Sequence, residues 1–143
     1  MRGKDKKIAV SVISICLPLI SGLFIYLTSG GGNYLTDCIS LTGLVFPRIT
    51  YPGLVRNYAC DFLWSYSLFS ALELAISEGK PKIRAAVAVS FVTMILLETL
   101  QQIPQFPGTF DVWDIAVETA AIAIAAVVTI TLNRRFKYEE KVN

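Results

Sequence analysis

The chain has 143 residues, of which 54% are hydrophobic and 17% charged, and its mean hydropathy is +0.56. The formal net charge of +2 is too small to indicate a nucleic-acid-binding protein. The sequence contains no histidine, which excludes imidazole acid–base chemistry and removes the commonest metal ligand. This length predicts one domain, and the mean hydropathy is high for a soluble one.

Four apolar segments follow one another along the chain. The first, residues 8–28, holds no charged residue, and the last, residues 111–132, contains the run AAIAIAAVVTITL. Residues 60–77 and 84–103 are apolar, with polar residues toward their ends. A bilayer core about 30 Å thick needs roughly 20 helical residues. The sequence therefore predicts an all-α membrane protein, a four-transmembrane-helix bundle that forms one membrane domain over all 143 residues.

Lysine and arginine are distributed unevenly around these segments. Four of them precede the first segment, three lie between the second and the third, and four follow the last. Only Arg48 and Arg56 fall elsewhere, and both lie in the loop at residues 29–59. Because basic residues are enriched in cytoplasmic loops, this distribution predicts a multi-pass protein with both termini cytoplasmic and the loop 29–59 on the outer side.

The first segment also has the basic start and the apolar stretch of a secretory signal peptide. We expect a retained helix, because the stretch is longer than a usual signal and lacks a clear A-x-A cleavage site. Cys16 is expected to pack within the bundle. Cys38 and Cys60 both fall on the predicted outer side, where oxidising conditions permit a disulfide between them without requiring one.

The stretch GTFDVWDIAVE places Asp111, Asp114 and Glu118 at positions i, i+3 and i+7, on one helix face. At a rise of about 1.5 Å per residue, Asp114 and Glu118 lie about 6 and 12 Å below the outer surface. Glu98, on the preceding outward-running segment, lies about 9 Å below the same surface. Glu98 is therefore level with the gap between the other two carboxylates, and Gln101 shares its helix face.

These side chains predict a polar pocket that opens to the outside, because charged residues within a membrane usually face a bundle interior or a wet cavity. Asp61, at the outer start of the second segment, is expected across from them, with Arg56 and Arg48 as the natural cationic partners. Two other interpretations stay open. Asp111 equally fits the N-cap of the fourth helix, and the two glutamates also fit hydrogen bonds that only assemble the bundle.

Glu73 stands apart, on the inner half of the second segment. Tyr66, Ser70 and Glu73 share a helix face, and Glu73 is expected to reach the cytoplasmic surface or to pair with Lys80 or Lys82. One acidic residue on the inner half does not make a continuous relay. Transport of protons or cations is therefore an alternative function rather than the preferred one.

The sequence contains no phosphate loop, no zinc-ligand spacing and no Ser–His pair. A carboxylate-only site for Mg²⁺ or Mn²⁺ is chemically allowed, but no spacing demands one. We therefore predict no cofactor and no metal. A membrane enzyme remains the less favoured class, and a structural or interaction protein remains a further alternative.

The segment ETLQQIPQFPGTFDVWDIAVE resembles the VanZ-like family of small bacterial membrane proteins. Proteins of that family carry a Glu and a Gln one turn apart, then a proline-containing loop, then an Asp that starts the next helix. Glu98, Gln101 and Asp114 match these positions. In RNYACDFLWSYSL, Arg56 and Asp61 also stand where some short relatives have them. The resemblance covers about residues 55–130.

The chain departs from the family pattern at three places. Gly108 and Thr109 occupy the region of the usual loop arginine, Glu118 stands at the position of an Asn, and Ala121 stands at that of a glycine. An arginine near the carboxylates would neutralise them, so its absence leaves this pocket more acidic or more protonated. Arg56, which lies in another segment, is a candidate to replace the missing loop arginine.

The resemblance implies a place in the bacterial cytoplasmic membrane. The family's named member is linked to lowered susceptibility to teicoplanin, a cell-wall-directed glycopeptide, and carrying this phenotype over is a family-level analogy. Together with the pocket, it implies that the protein binds an envelope precursor or a glycopeptide. The expected binding residues are Glu98, Gln101, Asp114, Glu118, Asp61, Arg56 and Asp111.

Overall fold

The computed structural model describes residues 3–29, 46–76, 82–103 and 111–142. These ranges form four helices and contain no strand, which confirms the all-α prediction. The helices are α1 (Gly3–Thr28), α2 (Gly53–Ala75), α3 (Lys82–Leu100) and α4 (Val112–Val142).

Three helices in the described ranges, α1, α3 and α4, are long and apolar enough to cross a membrane. Their apolar stretches are Asp5–Thr28, Lys82–Leu100 and Val112–Glu139. The exception is α2, which carries Arg56, Asp61 and Glu73 together with several serines. The lengths and composition of the described helices therefore agree with a multi-pass membrane protein, and α2 is the helix whose own composition falls short of the four-span prediction.

Helices α1, α2 and α4 are longer than the apolar segments from which they were predicted, whereas α3 ends three residues earlier than expected. α2 begins at Gly53, so the end of the predicted loop 29–59 is helical. Pro52 occupies its N-cap, where a missing N–H costs no helical hydrogen bond. At the other end of the chain, α4 continues well past residue 132. Its polar extension includes an ion pair between Arg135 and Glu139, one helical turn apart, with Nε and Oε1 3.4 Å from each other.

Within the described part of the chain, α2 is the central helix and packs against each of the other three. Its buried side chains are largely polar and include Ser65, Ser67, Ser70 and Glu73. The apolar core that surrounds them is small and consists of Phe69, Ala86, Met94, Ile122 and Ala125. The least apolar helix is thus the most enclosed one.

The outward surfaces of the surrounding helices are apolar. Leu17 and Ile20 on α1 are each 63% exposed, and Val127 on α4 is 62% exposed. Many further Leu, Ile and Val side chains of α1, α3 and α4 are also exposed. A soluble monomer rarely shows apolar surface on this scale. Polar side chains inside and apolar side chains outside are the arrangement that suits lipid.

The described residues include two cysteines, and both are free thiols. Cys16 is exposed on α1, so the prediction that it packs within the bundle is wrong, because α1 turns only one face toward α2. Cys60 is a free thiol whose Sγ donates to the backbone carbonyl oxygen of Gly22 at 3.5 Å. Cys38 lies outside the described residues, and so does any disulfide that would involve it.

Helices α1 and α2 approach each other closely at Gly22. A Cβ atom added there would lie 2.6 Å from Nε1 of Trp64. The Trp64 ring also packs against Tyr26, with ring centroids 5.7 Å apart. Along the same interface, the Ser67 hydroxyl donates to the carbonyl oxygen of Ile15 at 3.1 Å. Small residues and side-chain hydrogen bonds of this kind are what allow membrane helices to pack closely.

We expect Gly22→Ala to lower the free energy of unfolding by about 1–3 kcal/mol, because the added methyl group must displace the Trp64 ring. The measurement is denaturant unfolding of the purified protein in detergent. Gly53→Ala is the matched control, since a Cβ at Gly53 meets nothing within 4 Å. Equal stability of the two variants would show that the close contact with Trp64 does not hold α1 and α2 together.

Candidate functional site

Four carboxylates from three helices meet at the end of the bundle where α3 ends and α4 begins. Asp61 comes from α2, Glu98 from α3, and Asp114 and Glu118 from α4. Their charges are close enough to repel one another. We call these four residues the acidic cluster. The helix spacing in the sequence predicts this meeting, and the structure brings the four side chains together.

Glu118 is 9% exposed and points into the bundle. Its Oε1 accepts a hydrogen bond from the Ser65 hydroxyl at 3.1 Å, which joins α4 to α2. Its Oε2 is also buried and has no hydrogen-bond partner among the described residues. Bundle assembly therefore accounts for one of the two carboxylate oxygens and leaves the other unused.

Glu98 is 5% exposed, and as in Glu118 one carboxylate oxygen is hydrogen-bonded and the other is not. Its Oε1 accepts a hydrogen bond from Nε2 of Gln101 at 3.3 Å, one helical turn further along the chain. Its Oε2 is buried and lacks a hydrogen-bond partner within the described part of the chain.

Asp111 caps α4. Its Oδ1 accepts a hydrogen bond from the backbone N–H of Trp113 at 3.0 Å. This satisfies one of the free N–H groups in the first turn of the helix, and it confirms the N-cap interpretation. Asp114, in the same first turn, is partly buried. The positive end of the helix dipole favours a carboxylate there.

The structure does not bring the expected cationic partners to the acidic cluster. Arg56 is exposed, and its Nε donates to the side-chain oxygen of Asn57 at 3.3 Å. Arg48 is exposed as well. Neither arginine forms an ion pair with another described residue. The cluster therefore concentrates four carboxyl groups, and no cation among the described residues pairs with them.

A second polar site lies at the opposite end of the bundle. Glu73 is buried and pairs with Lys82, with Oε1 and Nζ 3.4 Å apart, which confirms the predicted pairing with that lysine. Lys80 lies outside the described residues. A cavity of about 20 Å³, enough for about one water molecule, adjoins this pair. Its walls come from α1, α2 and α4 and include Lys7, Ser11, Ser14, Ser70 and Asn133.

Apolar side chains separate the two polar ends. On α2, Phe69 is completely buried one turn from Ser65 and one turn from Glu73. Met94 lies one turn inward from Glu98 on α3, and Ile122 one turn inward from Glu118 on α4. Neither this cavity nor this apolar layer was predicted from the sequence, because both depend on how three helices are rotated toward one another.

The described ranges contain no group of three or more Cys, Asp or Glu side chains arranged to hold a metal ion. Comparison of the chain with models of known protein families, with curated proteins and with solved structures finds no match. What the site can do is therefore argued from its own chemistry. It offers hydrogen-bond acceptors and negative charge in a largely dry setting, which favours a ligand that brings N–H donors and positive charge.

We expect Ser65→Ala to lower the free energy of unfolding by about 1–3 kcal/mol, because Glu118 then loses its hydroxyl donor while it stays buried. The cost should fall by at least about 0.5 kcal/mol when Glu118→Ala is already present, since the two residues act as a pair. Denaturant unfolding of the four proteins of this mutant cycle measures both values.

Thr131→Ala serves as the control for loss of a hydroxyl. That hydroxyl bonds only to its own helix, to the Val127 carbonyl oxygen at 2.8 Å on an exposed face, so a change within about 0.5 kcal/mol is expected. Additive effects of Ser65→Ala and Glu118→Ala would contradict a direct bond between the two side chains.

Proposed function

We propose that the protein is a VanZ-like, multi-pass protein of the bacterial cytoplasmic membrane whose acidic cluster binds a cationic or polar component of the envelope, or a glycopeptide such as teicoplanin. All four helices cross the membrane, both termini are cytoplasmic, and the cluster opens to the outer side. One observation carries the proposal: in the described part of the chain, Glu98 and Glu118 each hold a buried carboxylate oxygen without a partner.

The enclosure of α2 supports the four-span topology. A 23-residue helix is about 35 Å long, which matches a bilayer core. Its charged and hydroxyl side chains are costly in lipid but acceptable inside a bundle, and α1, α3 and α4 supply that bundle with apolar outer faces. The excess of lysine and arginine on one side supports cytoplasmic termini.

We expect Leu54→Cys to react with a membrane-impermeant maleimide in intact cells, and Tyr138→Cys to react only after lysis. Both positions are more than two-thirds exposed, at 76% and 71%, and they lie at opposite ends of the bundle. Both substitutions are made in a variant without Cys16, Cys38 and Cys60, so that only the introduced thiol can be labelled. Labelling of both positions from one side would rule out the proposed topology.

The roles of the individual side chains follow from their contacts. Glu98 and Glu118 accept hydrogen bonds from the ligand through their free oxygens. Gln101 holds the other oxygen of Glu98 and so fixes the direction in which the free one points. Asp114 and Asp61 add negative charge at the same level. Asp111 is occupied as the helix cap and contributes to the site by positioning α4.

Transport of protons or cations is the second candidate, because the bundle holds buried carboxylates near both ends. The complete burial of Phe69 between the two polar ends disfavours a continuous path. If the protein transports, proteoliposomes should show a proton or cation flux that is lost in Glu98→Gln. A flux equal to that of empty liposomes would exclude transport. Ligand binding and a purely structural role in the bundle would then remain.

We expect expression in a teicoplanin-susceptible bacterium to raise the minimal inhibitory concentration, and Glu98→Gln and Asp114→Asn to abolish the rise at matched protein level. The reason is that each amide removes a negative charge from the ligand site while it keeps the side-chain shape. Glu139→Gln, which changes an exposed carboxylate on the far extension of α4, should keep the full effect. A full effect in the Glu98 and Asp114 variants would show that the acidic cluster is not the working site.

A further inference from the structure

The two buried glutamates each present a single free acceptor atom, and the two atoms come from different helices. In each case Oε1 already accepts a hydrogen bond, from Gln101 or from Ser65. In each case Oε2 is buried without a partner among the described residues, in side chains that are 5% and 9% exposed. A buried acceptor without a donor costs free energy comparable to a lost hydrogen bond. Each of these two oxygens would therefore gain from a hydrogen-bond donor.

The charge of the surroundings selects a cation. Asp61 and Asp114 stand near both glutamates. In the described ranges, no lysine or arginine forms an ion pair with any of the four carboxylates. An anionic or neutral donor would leave this charge uncompensated, whereas a cationic donor compensates it and satisfies the two oxygens at the same time.

The number of free oxygens selects the kind of cation. A guanidinium group binds best to one carboxylate through two parallel bonds, and here one oxygen of each glutamate already accepts a hydrogen bond from the protein. A quaternary ammonium has no N–H to donate and is recognised by aromatic faces. A primary ammonium carries three donors that point in separate directions, so it can bond to single oxygens that belong to two different side chains.

We propose that the acidic cluster binds a protonated primary amine, which donates one N–H to Oε2 of Glu98 and another to Oε2 of Glu118. This inference rests on the proposed function, since it names the chemical group by which that site takes its ligand. A membrane lipid with an amino headgroup and an amine-bearing soluble compound share this chemistry. An apolar tail beside the amine would lie against exposed apolar side chains of α3 such as Ile95, which is three residues before Glu98 and 52% exposed.

The test uses the full-length protein in phosphatidylcholine nanodiscs with two probes that have the same tail, dodecylammonium and dodecyltrimethylammonium. The expected result is that the primary amine binds at least about tenfold more tightly, because only it donates hydrogen bonds to the glutamates. Glu98→Gln and Glu118→Gln should each weaken dodecylammonium binding at least about tenfold. Glu139→Gln should leave it unchanged. Isothermal titration gives the affinities.

A second pair of nanodiscs distinguishes the two sources of the amine. If a lipid headgroup is the ligand, phosphatidylethanolamine in the disc should compete with dodecylammonium and lower its apparent affinity. If a soluble amine is the ligand, the affinity should stay the same. Either result supports the primary-amine site and assigns its source.

Equal binding of the two probes would overturn the inference, because it would show attraction by charge without the two hydrogen bonds. So would unchanged binding in both glutamine variants. The probe comparison uses the wild-type protein, so it holds even where a variant fails to fold. The outcome is separable from the teicoplanin experiment, since a resistance phenotype that needs Glu98 together with equal probe binding would keep the proposed function and reject the amine.

Discussion

The other three helices enclose the polar side chains of α2, and in the proposed membrane setting the rest of the structure depends on that enclosure. Hydrocarbon offers no hydrogen bonds, so a helix with this many hydroxyl and carboxyl groups is stable at membrane depth only when other helices surround it. The structure meets this requirement with at least one polar contact from α2 to each neighbour. Ser67 bonds to the backbone of α1, Ser65 bonds to Glu118 on α4, and Glu73 pairs with Lys82 on α3. The small apolar core then fills the space between these contacts.

Assembly alone does not explain the carboxylates at the outer end. A serine or a glutamine would supply the single acceptor that Ser65 uses on Glu118, without a negative charge to desolvate. In its ionised form, such a carboxyl costs desolvation free energy that one hydrogen bond from Ser65 does not recover, and the free oxygens of Glu98 and Glu118 add to that cost. Groups held in a protein interior at such a cost are commonly functional. This is the physical reason to look for the ligand at this end of the bundle.

The sequence predicted those parts of the structure that depend on one helix at a time. Hydropathy located four helical segments, and the helical repeat placed Asp114 and Glu118 on one face beside the cap at Asp111. The sequence does not predict features that depend on the rotation of one helix against another. The bond between Ser65 and Glu118 joins residues 53 positions apart, and helix spacing says nothing about such a pair. The outward orientation of Cys16 was missed for the same reason.

The two ends of the bundle differ in whether their buried carboxylates have a cationic partner. At the inner end a lysine already compensates the buried carboxylate of Glu73. Lys82 is out of reach of the acidic cluster, because Asp61 and Glu73 are about 18 Å apart along α2 and the buried ring of Phe69 lies between them. No described cation pairs with the acidic cluster, so in the proposed topology charge compensation comes from the solution or the membrane on the outer side. A proton neutralises one carboxylate at a time, whereas a cationic ligand with several donors can bond to more than one carboxylate. The end of the bundle without a paired cation is the one that faces the envelope in the proposed topology.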